Sequence, residues 1–189
     1  MAKPGQMIEN PPMGGRIVFR DTAASTGGEL LRMDFFLAPG CGIAEAHSHP
    51  VQRERFEVIH GSVAGQINGI DARAQKGESS EIEPGVLHGW WNAGSEEAQL
   101  VVEFRPALRT EDFFEEVFAL ARGGKTDERG VPKLFQKLVL LGEYHDEFRP
   151  ADVPAAVAWL LARIMAPVAW LRRSRARRRA AKRGEPAPP

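Results

Sequence analysis

HSHPVQRE, residues 47–54, and HGWWN, residues 88–92, decide how this chain folds. In an extended strand residues two apart share a face, so His47 and His49 present both imidazoles on one side. Pro50 and the residues after it allow a turn. In the next strand Glu54, Phe56 and Val58 share one face while Arg53, Arg55 and Glu57 share the other. Turning Phe56 and Val58 inward therefore turns Glu54 inward and leaves the charged alternates in solvent. A carboxylate on an apolar face is costly unless it is paired or binds a metal. His88, Trp90 and Asn92 share a third strand face and bring another imidazole beside a large aromatic ring. Three imidazoles and one carboxylate suit a single divalent transition metal: Fe, Mn, Ni, Cu or Zn. The donor set does not choose among them.

Outward from these segments, residues 15–106 break into short β-type runs separated by Gly, Pro and Asn, as in all-β barrels and sandwiches. GRIVFR is followed by LLRMDFFLAPG, in which Leu31, Met33, Phe35 and Leu37 alternate on one face. RFEVIHG and SVAGQI lead to Asn68-Gly69, a pair typical of a two-residue hairpin turn. IDARA, SSEIEPG, VLHGWWNAG and AQLVVEFRP complete the set. Glu103 and Arg105 alternate with Leu100, Val102 and Phe104 and are expected in solvent. Phe36, Phe56 and Trp90 are candidates for lining a small-molecule pocket, although aromatics on strand faces more often form plain core.

The segment Gly42–Gly61 resembles the first motif of the cupin family, G-x5-H-x-H-x(3,4)-E-x6-G, and Gly77–Asn92 resembles the second, G-x5-P-x-G-x2-H-x3-N. His47, His49, Glu54, Gly61, Gly85, His88 and Asn92 stand in register, with 15 residues between the motifs. Cys41 occupies the place of the leading glycine, and Glu83 that of the motif-two proline; both departures fall on turns and spare the ligands. The resemblance implies a mainly β fold, a double-stranded β-helix or jelly-roll barrel. It implies His47, His49, Glu54 and His88 as ligands of one divalent transition metal, and a homodimer. It also implies a small-molecule ligand. Cupins include dioxygenases, isomerases, decarboxylases, sugar-binding regulators and storage proteins, so the fold does not fix the reaction. As an enzyme the chain is expected to be a mononuclear non-haem metal oxygenase or isomerase, with Glu54 as a proton shuttle. The alternative is a metal-dependent binding or sensing module without turnover.

After residue 106 the pattern becomes helical. Thr110 can cap a helix over EDFFEEVFALAR that Gly123-Gly124 ends, and LFQKLVLLGEYHDEF reads as a second helix closed by Pro150. A third, about residues 154–180, begins apolar and ends basic. These readings divide the chain into a flexible N-terminal arm (1–14), a barrel (15–108), a C-terminal helical extension (109–180) and a disordered tail (181–189). Along the third helix Val157, Leu160, Leu161, Ile164, Val168 and Leu171 form a stripe of the kind that packs on one side. That favours a helix docked on the barrel or a partner subunit. Arg163 and Pro167 argue against a spanning segment, and peripheral membrane contact through residues 153–183 is the second reading.

Basic and acidic residues balance at 25 each, but eight of the basic ones lie in RRSRARRRAAKR, residues 172–183. Residues 1–171 therefore carry 17 basic and 24 acidic side chains, a net of −7. An acidic body does not suit nucleic acid, and the basic run lacks interleaved aromatics. The single cysteine, Cys41, excludes an internal disulfide and suits a reducing cytoplasm. The N-terminus has no apolar run of the secretory type. The location expected is cytoplasmic, with the inner face of the membrane as the peripheral alternative. His60 and His145 have no ligand spacing.

Overall fold

Period-two alternation builds the molecule. In the computed structural model, which describes residues 2–165, 167 and 171, Leu31, Met33, Phe35 and Leu37 of β3 (Leu31–Leu37) are fully buried. Ile17 and Phe19 of β2 (Gly15–Asp21) join them, as do Phe56 and Val58 of β5 (Arg53–His60) and the alternate residues of β10 (Ala98–Arg105). The remaining strands are β1 (Met7–Asn10), β4 (Gly42–Ser48), β6 (Ser62–Ile67), β7 (Ile70–Gln75), β8 (Ser79–Ile82), β9 (His88–Asn92) and β11 (Arg149–Pro150). They form two antiparallel sheets, of order β1-β2-β3-β10-β5-β8 and β11-β4-β9-β6-β7. The inner faces pack as in a jelly roll. The helices include the one-turn α1 (Ala23–Thr26), α2 (Thr110–Arg122) and α3 (Leu134–Glu143), and residues 155–165 are helical as well, so the fold is mainly β with a C-terminal helical extension.

The Asn68-Gly69 turn joins β6 to β7 with both residues at positive φ, 51° and 77°, the requirement of a type I′ hairpin. Glycine matters differently at Gly65. A Cβ there would lie 2.3 Å from the Gly89 carbonyl oxygen, so its absence lets β6 run close against β9 and fixes the strand that carries His88.

Several expectations change. Residues 1–14, read as a flexible arm, contain β1, which pairs Ile8 with Ile17 and buries Ala2, Ile8 and Asn10. The edge of β2 offers unpaired backbone groups, and β1 satisfies them despite the surrounding Pro and Gly. Thr110 is the first residue of α2 and does not cap it, because Gln52 holds its hydroxyl at 2.8 Å. Glu103 is buried beneath Arg32, which donates to it at 2.9 Å. The second helix ends at Glu143, and the chain turns through residues 144–148 into β11, which pairs with Ser48 and His47.

Residues 155–165 are helical, but the face turned inward is not the expected one. Ala158 is buried and Leu161, Ala162 and Met165 are half-buried, whereas Val157, Leu160, Ile164 and Leu171 are about half exposed. Small side chains allow the closer approach, with Met165 lying against Gly142 of α3. Val168, the basic run 172–183 and the tail 181–189 lie outside the described residues.

Candidate metal centre

Strand register brings the four expected ligands together. His47 near the end of β4 stands opposite His88 at the start of β9, and His49 follows β4 by one residue. Glu54, the second residue of β5, faces inward between Phe104 and Ile82. Glu57 faces out, bound to Arg55 at 2.9 Å. All four site residues are buried, and one ligand atom from each falls within 4.8 Å of the others.

Hydrogen bonds set the tautomers. His47 Nδ1 lies 2.8 Å from the Glu45 carbonyl, His88 Nδ1 3.0 Å from that of Val86, and His49 Nδ1 2.5 Å from that of Glu147. A carbonyl only accepts, so each Nδ1 carries a proton, and any ring that is neutral turns a bare Nε2 lone pair into the site. The Nε2 atoms of His49 and His88 then meet Glu54 Oε2 at 3.1 and 2.8 Å. Lone pair facing lone pair at such distances requires a cation between them, either protons or a metal. A tetrad of three nitrogens and one anionic oxygen with its second-sphere bonds already made fits a divalent transition metal.

Electrostatics favour positive charge between Glu54 and the rings, whether carried by protons or by a metal. Burial, reinforced by the neighbouring His49 and His88, pushes His47 down to about 3 and keeps it neutral. Burial opposes ionisation of Glu54, but hydrogen bonds from His49 and His88 together outweigh it and hold the carboxyl well below the usual range. For His88 burial works against the charged form, and the contact with Glu54 overcomes it and raises the imidazole. Glu54 is therefore an anion in place, as a metal ligand requires.

The helical extension closes one side of the site. Phe148 stacks on His47 with ring centroids 4.7 Å apart and on Phe113 of α2 at 5.2 Å. Glu147 beside it is buried; its Oε1 accepts from the Arg109 backbone N–H at 3.2 Å and pairs with Arg109 Nε at 3.4 Å, and its Oε2 has no hydrogen-bond partner among the described residues. Arg109 also donates to the Glu143 carbonyl, and Gln52 ties the α2 N-terminus to the Pro106 and Ala107 carbonyls. About 10 Å³ of space remains beside the ligands, about the volume one water needs. No sequence signal marks Glu147, Phe148 or Gln52, since long-range pairing of β11 with β4 delivers the first two.

On the other side a cleft of about 410 Å³ opens between β7 and β8 and reaches His88. Phe56 and Trp90 line it with Ile67, Ala72, Ser80 and Ile82. Trp90 also borders the small void, and its buried Nε1 has no partner among the described residues. Phe36 is not part of the pocket. It lies on the outer face of β3 with the Arg16 guanidinium 4.1 Å above its ring, because Phe35 takes the inward position.

Residues 33–104 match the family described as the cupin domain. The barrel belongs to the cupin superfamily. No curated protein matches the sequence of this cupin. Among solved structures it is similar to a predicted oxalate decarboxylase from Thermotoga maritima, with 18% identity and a TM-score of 0.48 over 55% of this chain and 92% of that one. An RmlC-like cupin from Shewanella frigidimarina aligns at 20% identity and a TM-score of 0.47, covering 55% and 86%. KdgF from Halomonas sp. aligns at 14% and 0.46, covering 52% and 85%. At these identities none of them carries an activity to this cupin.

Proposed function

We propose that this chain is a metal-dependent cupin that acts on a small molecule, with His47, His49, Glu54 and His88 holding one divalent transition metal. The observation that carries the reading is the arrangement of the imidazoles. All three Nδ1 atoms are engaged by carbonyls, and two of the three Nε2 atoms meet one buried carboxylate. Protons alone would need at least one buried imidazolium, with a second proton on the other ring or on Glu54, a costly state that a single metal ion relieves.

A bound metal would supply Lewis acidity at an open coordination position, the chemistry of a mononuclear oxygenase or isomerase. The chain's own residues do the rest. Phe56, Ile82 and Trp90 offer apolar contact to a molecule in the cleft, and Ser80 offers a hydroxyl. Trp90 Nε1 supplies a donor without a partner among the described residues. Phe148 and Phe113 keep bulk water from the opposite side. Glu147, whose Oε1 pairs with Arg109 Nε at 3.4 Å, orients His49 through its backbone carbonyl, and Glu54 is the carboxylate that would move a proton. The closeness of Phe148 favours a second reading, a binding or sensing module without turnover, because so little space remains beside the ligands.

Elemental analysis of natively purified protein tests the metal assignment. Wild type is expected to hold about one equivalent of a transition metal, and the His47→Ala, His88→Ala double variant less than about a tenth. Wild type at the variant's level removes the reading. Substrate turnover or O₂ consumption by the loaded protein separates enzyme from binding module.

A further inference from the structure

The helix over residues 155–165 has two apolar faces, and the described residues cover only one. Ala158, Leu161, Ala162 and Met165 turn inward, with Met165 against Gly142 of α3. Val157, Leu160, Ile164 and Leu171 recur at offsets of 3, 7 and 14, one line along a helix, and are 45–54% exposed. Trp159 is 56% exposed, and the Arg163 guanidinium lies 4.8 Å over its ring. An outward arc of large aliphatic side chains with a Trp–Arg pair at its edge has the composition of a helix lying in a membrane interface. No helix among the described residues is long and apolar enough to cross a membrane.

Charge identifies the occupant. Directly after Leu171, eight of the twelve residues 172–183 are Arg or Lys, while residues 1–171 carry a net −7. Parallel pairing of this arc with a second copy would set two such runs side by side and repel, and antiparallel pairing would lay each run past an arc that offers no acidic side chain to neutralise it. A bilayer rich in anionic headgroups neutralises the run while its acyl boundary takes up the arc. We propose that the arc from Val157 to Leu171, together with the basic run that follows it, docks this chain on an anionic phospholipid surface, as a peripheral protein. The inference stands apart from the metal assignment.

Flotation of the full-length chain tests it, using vesicles of phosphatidylcholine alone or with about one third phosphatidylserine. Wild type is expected to float with the anionic vesicles, to stay behind with the neutral ones, and to be released near 1 M salt, where the Debye length is about 3 Å. Leu160→Glu/Ile164→Glu replaces two exposed side chains, so its thermal melt should match wild type while its vesicle binding falls at least about tenfold. Replacing Arg177, Arg178 and Arg179 by Gln should weaken binding to anionic vesicles without altering the melt. The proposal is overturned if wild type fails to float with anionic vesicles, or if the Glu variant floats equally well. It is also overturned if the Glu variant splits a wild-type dimer that binds no vesicles, which would assign the arc to a second copy.

Discussion

Glu54→Gln is expected to lower metal affinity by more than about a hundredfold, beyond the ten- to hundredfold that loss of an outer-sphere partner costs. Glu54 supplies the single anionic donor of the tetrad, and one of its oxygens meets both His49 and His88. Glutamine keeps the volume and removes the charge. The imidazoles should keep their aim, because their Nδ1 atoms are held by the carbonyls of Glu45, Glu147 and Val86, none of which depends on residue 54. The loss should therefore appear in a chelator competition titration while the circular dichroism of the metal-free protein stays unchanged. Affinity within about threefold of wild type would place Glu54 outside the coordination sphere.

Phe35→Ala should destabilise the protein by about 3–5 kcal/mol, the range for emptying a buried aromatic site. Against a total stability of about 5–15 kcal/mol for proteins in general, that loss is large. The Phe35 ring is fully buried and meets Trp90, Phe114 and Phe118 edge-on, with centroids 5.5, 6.0 and 6.4 Å away. It thus joins β3 to β9 and to α2, and a cavity there slackens the wall that holds Trp90 as well as the seat of the helical extension. Urea unfolding measures the change. A value under about 1.5 kcal/mol would mean that the surrounding rings collapse into the gap.

Local signals made the site legible. The offsets among His47, His49, Glu54 and His88 combine with period-two alternation, and a strand face follows directly from sequence. That rule also sends Phe36 outward once Phe35 is placed inside, because the alternation in LRMDFFL outweighs the aromatic character of Phe36. Other misses had no local signal. Thr110 reads as a cap until Gln52, 58 residues away in sequence, captures its hydroxyl. Both faces of 155–165 are apolar, so periodicity marks a helix and leaves open which face the body takes. β1 forms because β2 leaves an edge to cover, a requirement set by the sheet and not by residues 7–10 themselves.

The turn through residues 144–150 bears on how portable this site is. The family match ends at residue 104, yet the carbonyl that orients His49, the ring that covers His47 and the strand that pairs with β4 all come from residues 147–150. A graft of residues 33–104 onto another scaffold would carry every ligand and leave His49 free to choose either tautomer. The fold's unit of recurrence is thus smaller than its unit of chemistry, and the border between them runs through a single backbone carbonyl at Glu147.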